Sequence, residues 1–178
     1  MTRQNPIVGA VLAGGQSRRF GSDKALALLD GRPLIEHVAE RLAMQTDRLI
    51  VVGRTHAGLD SVPDRPSPGL GPLGAIAGAL HWTRSHGYAA VLTAPCDTPH
   101  LPPDLSEQLC GSVPCYAAGC PVLGWWPAAL ADHLDAWLRA GESRAVRHWA
   151  EAVGARLVTL AEQPANVNTP ADLARLRP

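Results

Sequence analysis

Ile7-Val8-Gly9-Ala10-Val11-Leu12-Ala13-Gly14-Gly15-Gln16-Ser17-Arg18-Arg19-Phe20-Gly21-Ser22-Asp23-Lys24 carries two signals in one stretch. Residues 7–13 are apolar without a polar interruption, the pattern of a strand covered on both faces. The Gly14–Gly15 pair stops it. Paired glycines let backbone N–H groups approach an anion closely, and exposed amides form a concave anion site. Ser17 adds a hydroxyl donor, and Arg18, Arg19 and Lys24 add positive charge, so the stretch suits a triphosphate. It lacks the G-x4-G-K-[ST] of a Walker A loop and the G-x-G-x-x-G of a dinucleotide fingerprint. The same residues could make an ordinary surface turn with solvated cations. Their place directly after the first buried strand favours phosphate.

Working outward, the chain alternates short apolar runs with helical periods. Leu34, Ile35, Val38, Ala39 and Leu42 recur at helical spacing from Pro33 to Ala43, with Pro33 in the first turn. Leu49–Val52 is a second strand, Pro72–Ser85 a helix stopped near Gly87, and Ala89–Ala94 a third strand ending at Pro95. Leu130, Leu134, Trp137 and Leu138 share one helix face between Pro127 and Gly141. Ser143 is expected to cap a helix running through Val153, with Gly154 after it. Arg156–Leu160 reads as a strand, and Thr169-Pro170-Ala171-Asp172 as a capping box opening a last helix. Such alternation implies an α/β fold with a mostly parallel sheet and helices on both faces, in one domain over 1–178. Ligands then bind beyond the carboxyl ends of the strands.

That rule selects further residues. Asp97, in Pro95-Cys96-Asp97-Thr98-Pro99, follows the third strand, where a carboxylate can hold a hard cation; it could equally cap the turn into Leu101-Pro102-Pro103. Asp64 precedes the glycine-rich Gly69-Leu70-Gly71-Pro72-Leu73-Gly74, which suggests close backbone approach to a ligand. Asn166 and Asn168 are spaced by two, so on an extended strand they point the same way. Trp125–Trp126 could stack on a planar ligand or simply be packed.

The 178 residues fit one domain with a sizeable core, 46% hydrophobic but only 4% aromatic. Lys plus Arg equals Asp plus Glu, which argues against broad capture of nucleic acid or of an anionic membrane. Seven apolar residues before a glycine pair cannot make a signal peptide or a membrane span. The four cysteines, at 96, 110, 115 and 120, lack C-x2-C spacing and a histidine cluster, so reduced cytoplasmic thiols are expected rather than a zinc site.

LAGGQSRRFGSDK at 12–24, Asp64 with GPLGAIAG through 78, PCDTPHLPPDL at 95–105 and NVNTPADL at 166–173 resemble, in order, the molybdenum cofactor guanylyltransferases, within the wider group of sugar-nucleotide-like pyrophosphorylases. Leu138–Arg144 is also similar, whereas roughly 106–127 departs from the pattern. The resemblance implies a Rossmann-like three-layer αβα fold of nucleotidyltransferase type, transferring GMP from GTP to molybdopterin with Mg²⁺ and releasing pyrophosphate. It places Leu12, Ala13, Gly14 and Gly15 on guanine and phosphates, Lys24 on the phosphates, Asp64 on the guanosine moiety and Asp97 on Mg²⁺. Arg19, Lys24 and Asp97 would be catalytic, and Asn166 and Asn168 would meet the acceptor. It implies a cytoplasmic enzyme whose partners extend to other molybdenum-cofactor biosynthesis proteins and molybdoenzyme chaperones.

A phosphate monoester attacking the α-phosphorus is already an anion, so no general base is required, and His100 is expected either at the surface or behind the residues that touch the ligand. The related cytidylyltransferases usually read LAAG where this chain has Leu12-Ala13-Gly14-Gly15 and lack Asp-Thr-Pro, so the comparison favours GTP. A cytidylyltransferase for the same cofactor, a sugar-1-phosphate nucleotidyltransferase and a non-catalytic delivery module are the competing readings.

Overall fold

β1 (Ile7–Leu12) is buried along its whole length because neighbouring strands and helices enclose it on every side. The structure is a computed structural model that describes residues 6–14, 20 and 23–176. After a 3₁₀ turn at Lys24–Leu26 come the short hairpin β2 (Leu28–Leu29) and β3 (Arg32–Pro33), helix α1 (Leu34–Ala43), β4 (Arg48–Val52), β5 (Asp60–Val62), α2 (Pro72–Ser85) and β6 (Ala90–Pro95). The rest comprises α3 (Leu105–Leu109), β7 (Cys115–Ala117), β8 (Cys120–Pro127), a 3₁₀ turn (Ala128–Leu130), α4 (Ala131–Arg139), α5 (Val146–Ala152), β9 (Arg156–Val158) and α6 (Pro170–Arg175).

Seven strands form one sheet in the order β5-β4-β1-β6-β8-β7-β9. β1 pairs in parallel with β4 and β6, β4 with β5, and β7 with β9, while β8 runs antiparallel to both β6 and β7. The sheet is therefore mostly parallel, with one reversed strand inside it. Alternate residues feed two cores. Val8, Ala10 and Leu12 join Ile76 and Leu80 of α2, Leu134 of α4 and Trp149 of α5. Ile7, Val11 and Ala13 join Ile35, Val38 and Leu42 of α1 with Leu105 and Leu109 of α3. The result is three layers, as the sequence pattern implies.

The departures from expectation have local causes. Pro33 is extended (φ −56°, ψ 142°) and closes the hairpin, so α1 starts one residue later. Ser143 does not cap α5: its hydroxyl meets His148 Nδ1 at 2.6 Å and accepts from Ala145 N at 3.3 Å, and the helix begins at Val146. β9 stops at Val158, whose carbonyl accepts the last rung from Ala118 N at 2.7 Å. The Thr169 capping box is present, with Asp172 returning its hydrogen bond to the Thr169 backbone. Among the described residues no helix is long and apolar enough to cross a membrane.

Trp125 and Trp126 do not form a stacking platform. Consecutive residues of β8 face opposite layers, so the two rings enter different cores. The indole N–H of Trp126 donates to Thr93 Oγ1 at 3.0 Å and that of Trp125 to the Gly111 carbonyl at 3.2 Å, which satisfies both buried donors.

Candidate active site

The carboxyl ends of β1, β4 and β6 lie side by side, tied by Ala13 N to Val52 O and Cys96 N to Leu12 O, both 3.0 Å. Here the chain leaves β1 through Leu12, Ala13 and Gly14, with Gly14 at the surface. Gly14 lies against Gly53, at the end of β4. A Cβ built on Gly53 would stand 2.6 Å from the Gly14 Cα, and Gly53 has φ +85°, so both space and backbone conformation demand glycine there. A Cβ on Gly14 would point at Asp64, 3.7 Å from Oδ1 and 3.9 Å from Oδ2. With glycine at this position, no side chain of residue 14 packs on that carboxyl.

Asp64 follows β5 and is backed by α2. A Cβ on Gly78 would come 2.3 Å from the Pro63 carbonyl, so the helix packs directly against the segment that presents Asp64. The carboxyl accepts the Gly69 N–H, yet its Oδ1 is buried without a hydrogen-bond partner among the described residues. Burial raises the Asp64 pKa above the ordinary carboxylate range, and the Gly69 hydrogen bond opposes this only in part.

Asp97 sits in the turn after β6 and forms an ion pair with Lys24, each side chain only 16% exposed. Lys24 Nζ also reaches Asn168 Oδ1 at 3.3 Å. Next to Asp97, the buried Thr98 hydroxyl donates to Asn166 Oδ1 at 2.7 Å. Between the two asparagines, buried Val167 donates its N–H to the Asp97 carbonyl at 2.8 Å. Residues 166–168 lie in a loop rather than a strand, but both side-chain amides contact the Lys24–Asp97–Thr98 group. Burial, and then the charge of Asp97, pushes the Cys96 thiol up to about 12, which keeps it protonated beside the site. His100 is exposed. Gly15 and Arg19, with Ser17 and Arg18, lie outside the described residues.

The sequence reading missed two features. Arg54, immediately after Gly53, makes a two-pronged contact with Asp23, NH1 to Oδ1 at 2.9 Å and NH2 to Oδ2 at 2.7 Å. The carboxyl-end rule applied to β4 would have found it. Lys24 is also the only lysine in the chain, every other side-chain cation of the Lys+Arg set being arginine. At this one position the chain uses a compact ammonium in place of a planar fork.

Among the described residues no three His, Cys, Asp or Glu side chains gather as a protein-only metal cage. A single carboxylate with hard oxygens at a strand end fits instead an ion that takes one or two carboxylates and completes its shell with water and phosphate.

A glycine-lined strand end, a half-buried carboxyl acceptor and a lysine–carboxylate pair thus share one sheet edge, the arrangement expected of a nucleotidyltransferase. Residues 9–159 match the MobA-like NTP transferase domain, and the chain belongs to that family. It is 40% identical to the molybdenum cofactor guanylyltransferase of Cereibacter sphaeroides, over 95% of this chain and 94% of that protein. It is 39% identical to the protein of the same name from Rhodobacter capsulatus, with the same coverage. In fold it is similar to the crystal structure of molybdopterin-guanine dinucleotide biosynthesis protein A from Archaeoglobus fulgidus, with a TM-score of 0.74 and 24% identity over 94% of this chain and 95% of that one.

Proposed function

We propose that residues 1–178 act as one nucleotidyltransferase domain that transfers GMP from GTP to molybdopterin, giving molybdopterin guanine dinucleotide and pyrophosphate. The names of the relatives support this, and the observation that carries the choice of base is Asp64. A buried carboxyl oxygen without a partner demands a donor. The Watson–Crick edge of guanine offers two adjacent N–H donors, which match the two oxygens of a carboxylate. Cytosine offers one donor beside acceptors, which would leave a carboxylate oxygen facing a lone pair. Gly14 lets the base approach Asp64 because no methyl group stands between them.

In this reading Leu12, Ala13, Gly14 and Gly15 line the guanine and phosphates through backbone groups, and Arg19 and Lys24 hold the phosphates. Asp97 holds Mg²⁺, and Asn166 and Asn168 orient the acceptor. The acceptor's phosphate oxygen forms a bond to the α-phosphorus of GTP as the bond to the bridging oxygen of pyrophosphate breaks in line. Because the nucleophile is already an anion, the residues have to offset repulsion between anions rather than remove a proton. Lys24 and Arg19 stabilise the charge that moves onto the departing pyrophosphate. When bound, Mg²⁺ adds further positive charge at those oxygens. Cytoplasmic location and contact with cofactor-biosynthesis proteins and molybdoenzyme chaperones, with no role for nucleic acid or membrane, complete the proposal.

GTP with Mg²⁺ is expected to raise the thermal midpoint more than CTP with Mg²⁺ at equal concentration, since a ligand that binds only the folded state stabilises it by mass action. Equal or greater stabilisation by CTP would instead assign a cytidylyltransferase.

Asp64 also gives GTP binding a pH dependence. The free site holds the Asp64 proton above the usual carboxylate range, and guanine donors need the ionised form. GTP affinity should therefore rise with pH until the raised Asp64 pKa of the free site is passed, with a proton released on binding below that point. Calorimetry of the wild type against Asp64→Asn isolates this effect, because the nucleotide's own phosphates titrate in both. Identical pH profiles for the two proteins would remove Asp64 from the base site.

A further inference from the structure

The ends of β4 and β1 are joined in a way that reaches Lys24. Gly53 lies against Gly14, and the next residue, Arg54, grips Asp23 through both guanidinium nitrogens. The two described residues nearest to each end of the phosphate-binding stretch, Gly14 and Asp23, are thus fixed on consecutive residues of one strand end. Arg54 is itself held: Ser61 Oγ donates to its carbonyl at 2.7 Å, and Gly53 N donates to Val62 O at 2.9 Å. Its side chain is 21% exposed against 47% for Asp23, so the arginine is the more enclosed partner, and its Nε is buried without a hydrogen-bond partner among the described residues. Asp23 in turn caps the turn that carries Lys24, Oδ1 accepting from Ala25 N at 3.2 Å. The carboxylate therefore connects a rigid strand end to the turn that aims Lys24 at Asp97.

Building on the transferase reading, we propose that Arg54 is a positioning residue that sets Lys24 against Asp97 through Asp23. A two-pronged guanidinium–carboxylate contact fixes orientation as well as distance, which a point charge does not. Groups that orient the charged members of a site commonly affect activity 10–100-fold when lost.

Arg54→Gln is expected to lower kcat about tenfold while the KM for GTP changes far less, and Arg54→Lys should recover part of the loss. Asp23→Asn keeps the cap oxygen but removes the charge, and should reproduce the Arg54→Gln defect. The double variant should be no worse than either single one, because both remove the same contact. A purely structural role would lower the thermal midpoint and reduce active protein without this split and without the non-additivity. Since Lys24 is the only lysine, protein labelled with ¹³Cε-lysine gives one side-chain resonance, and Asp97→Asn marks the direction in which it moves when the ion pair is lost. Arg54→Gln should shift it in that direction. A resonance left at its wild-type position, or an unchanged kcat in an active enzyme, overturns the proposal. If the wild type releases no pyrophosphate from GTP with a competent acceptor, the transferase reading fails, and the resonance alone then decides the role of Arg54.

Discussion

Lys24→Ala is expected to cut kcat by about 10²–10³ while GTP affinity, measured by calorimetry on the same folded preparation, falls much less. In the structure Lys24 is paired with Asp97 and in reach of Asn168, so it is already fixed where β1, β6 and the 166–168 loop converge. Bound GTP carries phosphate charge before reaction, but the departing pyrophosphate gains more as the bond to the α-phosphorus breaks. A prepositioned ammonium next to those oxygens contributes more to the transition state than to the bound nucleotide. The substitution also leaves the Asp97 carboxylate without its cation, which adds repulsion toward the phosphates. Turnover is read as pyrophosphate release with a molybdopterin acceptor. An affinity loss large enough to explain the whole defect would reduce Lys24 to a nucleotide anchor.

Asp97→Asn is expected to keep the fold and to reduce turnover at least about a hundredfold. The fold should survive because the amide keeps the Oδ1 that Thr98 Oγ1 reaches at 3.4 Å, while Val167 still donates to the Asp97 carbonyl and Thr98 still bonds Asn166. The amide is nearly isosteric but is a poor ligand for a hard cation, and it removes the partner that holds Lys24. Circular dichroism and thermal melting check the first half of the expectation, and pyrophosphate release at saturating Mg²⁺ the second. A folded variant with near-normal activity would make Asp97 a turn residue.

The fold was most legible where a residue's neighbours in sequence decide its state. The unbroken 7–13 run, the α2 boundaries at Pro72 and Ser85, and the Thr169 box all depend on local rules. β5, β7 and β8 were not legible. β5 and β7 have three residues each, too few for a period, and β8 is covered on both faces, so it shows no alternation. Its reversed direction is set by its pairing with β6, a long-range fact. At the site, Asp97 and Asp64 stood out because each follows an apolar run or precedes glycines. The position of Arg54 after β4 was open to the carboxyl-end rule, but its pairing with Asp23, 31 positions away, was not. Thr98 was visible only as part of a motif, and its bond to Asn166 spans 68 positions.

The return of residues 166–168 to the turn after β6 makes the integrity of one connection, rather than of the sheet, the condition for a finished site. β9 is the outer edge of the sheet, and from there the chain doubles back past β7 and β8 to the central strand. β1 precedes every other strand in the chain, whereas the asparagines that touch Lys24 and Thr98 follow the last of the described strands. A cleavage between β9 and residue 166 would therefore leave every described strand in one piece and yet separate the asparagines from the turn they contact, so that Lys24 and Asp97 would lose their finished setting without the loss of a strand.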